Sequence, residues 1–426
     1  MAGFVEAIRK GFTGGDVFDQ RAKGLHQDFI AEMNRMAEDE QYLPKNSSMD
    51  MRYNFRLQQH RASEHGIRIR RRYLTDEKSH TGVSVLMGKD KRYVTRIPAT
   101  VCHFEKTFLS DRKTVRKEKT GGTVYSYVVF ANEQNPDDTY CCPNCGDINT
   151  IMQLLEQGCR SCRTKYILPD LYPRITNFYT MREKSYVRTS PFPFILLGIA
   201  FALSVFFFTF AKTLEMDIQL LLSLLATVFC GVVIGFLLYP IGILSLLLLD
   251  AIVSGPQLYA FNKTRKKLPL FMQKYDPFFS VDFFVGKVNN LLKTLVFTDD
   301  YSNCSVYEKN GDNPCKDIVD VEYQGVIGLN STSCDDQYVY IDIDVYARTA
   351  FMKNRRLKQK DELFRMKLCR SVSVQDDCNA SVHNIQCHAC GASFNAVREK
   401  NCPYCRSAYN LRDYDWVVTA FERKGH

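Results

Sequence analysis

Four Cys-x-x-Cys pairs constrain this chain more than any other feature. They come two by two: Cys142 and Cys145 with Cys159 and Cys162, then Cys387 and Cys390 with Cys402 and Cys405. A tight turn bearing two thiolates supplies one edge of a tetrahedron, so two such turns close a four-thiolate zinc site. Thirteen residues separate Cys145 from Cys159 and eleven separate Cys390 from Cys402, and a β-hairpin fits both gaps. The spacing predicts two zinc ribbons, each holding one structural Zn2+. Gly146 and Gly391 follow the leading pairs, where the turn calls for positive φ. Arg163 and Arg406 stand there in the trailing pairs, and Pro143 and Pro403 fix the entry to a knuckle. Catalytic zinc needs an open position with His or carboxylate nearby. Here thiolates fill all four positions, so the structural role is expected. His388 reads as an exposed neighbour and Cys141 as an out-of-register competitor. A thioredoxin-type pair would sit singly at a helix start.

Eight further cysteines bring the total to sixteen in 426 residues. Cys102, Cys304, Cys315, Cys334, Cys369 and Cys378 show no paired spacing and read as packing residues. Free thiolates imply a reducing compartment. The opening MAGFVEAIRKGF has no long apolar run, so no secretory signal is expected there. At 45% hydrophobic residues the chain builds real cores, and its length suits two or three domains. The net charge of +9 suits an anionic lipid surface or nucleic acid.

Residues 1–43 read as an amphipathic helical segment, with Phe18, Ala22, Leu25, Phe29, Met33 and Met36 at spacings of three and four. Packing on its own domain is favoured over a membrane-surface role. Residues 44–138 read as a β-rich domain, with alternation at Ile67–Arg70 and in 93–104 and 123–131. Its basic cluster, Arg68, Arg70, Arg71 and Arg72, reads as a solvated face, with phosphate or lipid headgroups as the alternative. Zinc ribbon 1 occupies 139–180.

Two uncharged runs follow, 194–211 and 220–249, of 18 and 30 residues. A spanning helix needs about 20 apolar residues, so 192–250 reads as a transmembrane hairpin. Basic residues flank it on both outer sides (Arg174, Arg182, Lys184 and Arg188; Lys263, Arg265, Lys266 and Lys267). The positive-inside bias then places both termini in the cytoplasm of a two-helix, multi-pass cell-membrane protein. With no charge inside either span, an anchor is expected rather than a transporter.

Residues 268–380 read as an α+β domain. A helix over 268–298 precedes three antiparallel strands at 319–329, 337–350 and 363–374. In the second strand Val339, Ile341, Ile343 and Val345 share one face and Tyr340, Asp342, Asp344 and Tyr346 the other. Residues 385–426 hold zinc ribbon 2 and a short closing helix at 415–423.

These motifs carry a resemblance. CPNCG at 142–146, GCRSC at 158–162, DLYPRITNFYT at 170–180, YDPFFSVDFFVGKVNNLLKTL at 275–295, CPYCR at 402–406 and DWVVTAFER at 415–423 are similar to those of bacterial membrane proteins with zinc ribbons and a Tim-forty-four-like domain. The resemblance implies a cone-shaped α+β fold like that of nuclear transport factor two. It also implies binding to other proteins or to membrane lipid. The family's additional helices before the sheet are missing, since 299–318 is turn-rich. The expected function is a non-enzymatic membrane scaffold that recruits a protein partner, with the ribbons and the Tyr340–Tyr346 face as contacts. A membrane-tethered nucleic-acid-binding protein is the alternative. An enzyme is not expected, because no His–carboxylate set falls on the sheet.

Overall fold

The computed structural model describes residues 17–75, 81–85, 93–111 and 113–131. It continues with 139–164 except 143–144, 146, 151–152 and 155–156, then 174–182 and nine scattered positions between 198 and 255. It ends with 259–424 except 278, 303, 375–383, 388, 396–398 and 414. The chain divides into two units, one made of residues 1–182 with 260–426 and the other of 183–259.

The first unit is built mainly from antiparallel sheet. Helix α1 (Val17–Glu38) buries Ala22, Phe29, Met33 and Met36 against Tyr73, Phe104, Val124 and Phe178. The stripe read from the sequence thus packs on its own unit. Helix α2 (Met49–Glu64) follows, its N-terminus capped by Ser48, which accepts from the Met51 N–H. It lies where only strands were expected. Its inward face carries Asn54, Gln58 and Arg61 beside Met51, Phe55 and Ala62, so polar residues break the apolar stripe that would have announced it.

Five strands form the first sheet: β1 (Arg68–Leu74), β2 (Thr81–Val85), β3 (Tyr93–Ser110), β4 (Lys113–Ala131) and β7 (Arg174–Arg182). The order is β1-β3-β4-β7, with β2 also paired to β3. Between β4 and β7 comes a small hairpin of β5 (Thr139–Cys141) and β6 (Ile148–Thr150).

After 259–272, which is helical, helix α3 (Val281–Phe297) starts at the cap Ser280. It lays Phe284, Val288, Leu291, Leu292 and Leu295 on the second sheet. That sheet has β8 (Ile318–Cys334), β9 (Tyr338–Lys353), β10 (Arg356–Ser371) and β13 (Val417–Lys424), all antiparallel, in the order β13-β10-β9-β8. Val339, Ile341, Ile343 and Val345 are all buried on the α3 side, as the alternation required. The closing segment is a strand, not the expected helix. β10 offers a free edge, and β13, which opens on the β-branched run Val417-Val418-Thr419, pairs along it from Cys369 to Leu363. The other small hairpin, β11 (Asn384–Gln386) with β12 (Ser393–Asn395), precedes it.

The two halves of this unit share polar as well as apolar contacts. Asn289 Nδ2 donates to Asn177 Oδ1 at 2.6 Å, and Asn54 Nδ2 donates to the Asn290 carbonyl at 2.9 Å. Tyr179 of β7 sits edge-on to Tyr323 of β8 at 5.4 Å. Buried Asp320 accepts from Arg71 and Gln58, each at 2.6 Å, and pairs with Lys106. Burial raises its carboxyl, but the Arg71 and Lys106 charges outweigh this and hold it well below the ordinary carboxylate range.

The expected fold class and location need correction. An α+β membrane protein built on a two-helix hairpin gives way, among the described residues, to a mostly antiparallel-sheet architecture with few helices. No helix among the described residues is long and apolar enough to cross a membrane, so the multi-pass cell-membrane placement, with its cytoplasmic termini, loses its basis. Apart from isolated positions, the runs 194–211 and 220–249 lie outside the described residues, as do residues 1–16.

Candidate metal centres

In each quartet the four sulfurs lie within 4.8 Å of one another. The closest approaches cross between knuckles in the same way in both. Cys142 Sγ is 3.5 Å from Cys162 Sγ, and Cys145 Sγ is 3.3 Å from Cys159 Sγ. Cys387 Sγ is 3.6 Å from Cys405 Sγ, and Cys390 Sγ is 3.6 Å from Cys402 Sγ. A disulfide requires about 2.05 Å, and all eight thiols are free. With Zn–S near 2.3 Å, the S–S edge of a tetrahedron is about 3.8 Å. The donor chemistry and these separations fit two structural zinc sites, as the spacing predicted.

The backbone explains how the sulfurs are aimed. In every knuckle the first cysteine donates its N–H to the carbonyl five residues on. The acceptors are Asp147 (2.8 Å), Thr164 (2.9 Å), Ala392 (2.9 Å) and Ser407 (2.9 Å). In three knuckles the residue after the second cysteine bonds back to the first cysteine's carbonyl at 2.8 Å: Arg163 to Cys159, Gly391 to Cys387, Arg406 to Cys402. That residue has φ of 58° at Arg163, 74° at Gly391 and 62° at Arg406. The ring closure imposes the left-handed conformation even where a Cβ opposes it. Gly146, Pro143 and His388 lie outside the described residues.

The hairpins are placed differently from the sequence expectation. They enclose single knuckles instead of filling the gap between paired ones. Cys141 pairs with Ile148, Gln386 with Ser393 and Asn401 with Ala408, so the flanking residues of three knuckles pair at one common spacing.

Outer partners were missed from sequence. Thr164 Oγ1 lies 3.2 Å from Cys162 Sγ. Ser407 Oγ lies 3.1 Å from Cys387 Sγ and 3.0 Å from Cys405 Sγ. The signal was present: each quartet ends Cys-Arg-Thr or Cys-Arg-Ser. A hydroxyl donating to a thiolate steadies it and orients it for metal. The Ser407 hydroxyl, aided by the Cys390 backbone N–H, pulls Cys387 down to about 6, and Ser407 also lowers Cys405. In the first quartet burial pushes the Cys145 thiol up.

The second ribbon is welded to the main core. Cys387, Cys402, Leu411 and Trp416 belong to the same apolar cluster as α3 and the second sheet. Ser305 Oγ donates to the Glu399 carbonyl at 2.7 Å, and Arg412 pairs with Glu308. The first ribbon shows its own small sheet between β4 and β7.

A third group of donors, His60, Glu64 and Asp299, is wholly exposed. Arg61 neutralises it, lying 2.6 Å from Asp299 and 3.6 Å from Glu64. The other candidate surfaces are largely occupied. Arg71 is bound to buried Asp320 and so leaves the solvated face, whereas Arg68 and Arg72 stay 36% and 50% exposed while pairing with the surface carboxylates Glu40 and Glu38, as a solvated face would. Asp344 is held by Arg365 through two bonds of 2.8 and 2.9 Å, and Lys367 sits over the Tyr340 ring.

No protein-family model matches this chain, and no curated protein or solved structure does. The metal quartets therefore stand on their own geometry, and neither the membrane part nor the Tim-forty-four-like part of the resemblance gains support.

Proposed function

We propose that the chain is a non-enzymatic scaffold whose two zinc ribbons present rigid contact surfaces to a protein partner. One observation carries this reading: at the fourth knuckle Tyr404 stands 70% exposed between the ligands Cys402 and Cys405. A thiolate-closed site has no position left for substrate or water, so its contribution is shape. A tyrosine held out on such a rigid turn is the kind of anchor that dominates protein interfaces. Ile148, 59% exposed six residues after Cys142, offers a second anchor on the first ribbon. A scaffold role is also what the Tim-forty-four-like resemblance implies. The nucleic-acid alternative is disfavoured because most of its candidate arginines are engaged in ion pairs.

A photo-crosslinking residue placed at 404, at 148, or at the equally exposed Leu270 tests the reading in the native cell. The expected result is one reproducible protein captured from 404 or 148 and absent from the 270 control. Capture no richer than at the control overturns it.

A further inference from the structure

Strand β1 has an unfilled edge. At one end, Tyr73 donates its backbone N–H to Asn34 Oδ1 at 2.7 Å and accepts from Asn34 Nδ2 at 2.9 Å. The Asn34 amide thus imitates a neighbouring strand. Just before the other end, the Ile67 N–H bonds to the Ala62 carbonyl at 2.8 Å. Both residues point their backbone groups away from β3. Because that direction alternates along a strand, Ile69 and Arg71 point the same way. Among the described residues, the outward N–H and C=O groups of these two have no partner.

A cavity of about 460 Å³ lies along this stretch, walled by β1, by Met33 and Met36 of α1 and by Phe55 and Gln59 of α2. On the opposite face of the strand, Arg68 and Arg72 are paired with Glu40 and Glu38. Arg70, between them, has no ion pair among the described residues, and its Nε is shut off from water without a partner. A buried polar group left this way costs stability, so a ligand that completes it is favoured.

We propose that the slot takes an extended peptide segment of a partner protein, added as a strand to β1. An acidic side chain of the peptide lies across from Arg70, between two apolar side chains. Main-chain bonds to Ile69 and Arg71 supply affinity, and alternate side chains supply specificity. The residue facing Arg70 shares its side of the sheet, so charge complementarity calls for Asp or Glu. Its two neighbours turn to the other face, towards Met33, Met36 and Phe55. A second copy of β1 is the wrong occupant, because self-pairing would set arginine against arginine. The slot is separate from both ribbons, so the inference does not depend on the ribbon reading.

The test is selection of a random heptapeptide phage library on the zinc-loaded full chain, followed by fluorescence anisotropy with the enriched peptides. Enriched sequences are expected to centre on apolar–acidic–apolar triplets. Backbone N-methylation at alternate positions is expected to weaken binding tenfold or more, and methylation at the intervening positions to change it less than threefold. Arg70→Glu is expected to weaken binding tenfold, with zinc content and melting curve as the check on its fold. Three results overturn the proposal: no enrichment over the Arg70→Glu chain, indifference to N-methylation, or enriched peptides without an acidic residue.

Discussion

Arg370 Nη2 lies 2.8 Å from Asp276 Oδ2, and the two side chains are 3% and 0% exposed. The guanidinium also covers the Trp416 ring at 4.7 Å. This pair therefore ties the segment before α3 to β10 and to the start of β13. Asp276→Ala would take this carboxylate from a buried guanidinium, at a cost of about 3–5 kcal/mol. Guanidinium chloride denaturation measures it, and a loss below about 1 kcal/mol would mean that the pair contributes little.

The two ribbons should respond differently to loss of a ligand. Cys145→Ser and Cys402→Ser should each lower bound zinc from two to one, read by elemental analysis of the purified chain. Only Cys402→Ser also opens the core cluster that contains Cys387, Cys402 and Trp416. It should destabilise the main core by about 4 kcal/mol or more, whereas Cys145→Ser should leave the main melting transition nearly in place. Equal shifts would contradict the weld described for ribbon 2.

His26 is fully buried on α1, with Nδ1 2.8 Å from Ser126 Oγ and Nε2 3.1 Å from Thr100 Oγ1. Burial lowers it to about 4 from its ordinary 6.5. The unfolded chain therefore takes up a proton that the folded chain refuses. Stability is fully present above pH 6.5 and drains away as pH falls through the window down to about 4, by about 3 kcal/mol in total. Denaturation midpoints measured across that window should fall for the native chain. His26→Gln should flatten the slope.

A Cβ at Gly122 would collide with the Met181 carbonyl of β7 and meet the Phe104 ring at 3.0 Å. The obstacle is backbone in a paired strand, so it cannot swing aside. Gly122→Ala should destabilise by about 1–3 kcal/mol, seen as a lower denaturation midpoint with zinc content unchanged. Full retention of stability would show that β4 and β7 separate there at little cost.

Asn354 and Arg355 form the tight turn between β9 and β10, with φ of 53° and 59°. Both signs are positive, as a two-residue hairpin of this hand demands, and Asn-Gly is its preferred sequence. Arg355→Gly should raise stability by about 1 kcal/mol. A decrease would mean that the arginine side chain contributes more than its backbone strain costs.

The metal ligands were fully legible because CxxC spacing is a covalent-geometry constraint, local and independent of the rest of the fold. The alternation of Val339 to Val345 likewise identified a buried strand face. Helix α2 was hidden because its buried side satisfies Asn54, Gln58 and Arg61 through partners more than 200 positions away, which no local periodicity reveals. The last strand was misread because a short segment with Val, Thr, Phe and charges is decided by what lies beside it, here the edge of β10. Within the basic cluster Arg71 misled for the same reason, since Asp320 is some 250 residues away.

The first unit is sewn from two stretches of sequence, with 77 residues of the other unit between them. Asn54, Thr176 and Asn177 bond to α3, whose last residue, Phe297, follows Arg182 by 115 positions. At roughly 5–20 residues per second, a ribosome needs about 6–23 s to cross that interval. Throughout it the polar side chains of α2 and β7 have no helix to receive them. The nascent protein therefore passes through an obligatory waiting stage, in which its leading portion is made but cannot be completed, and whatever attends the chain at the ribosome exit must bridge that delay.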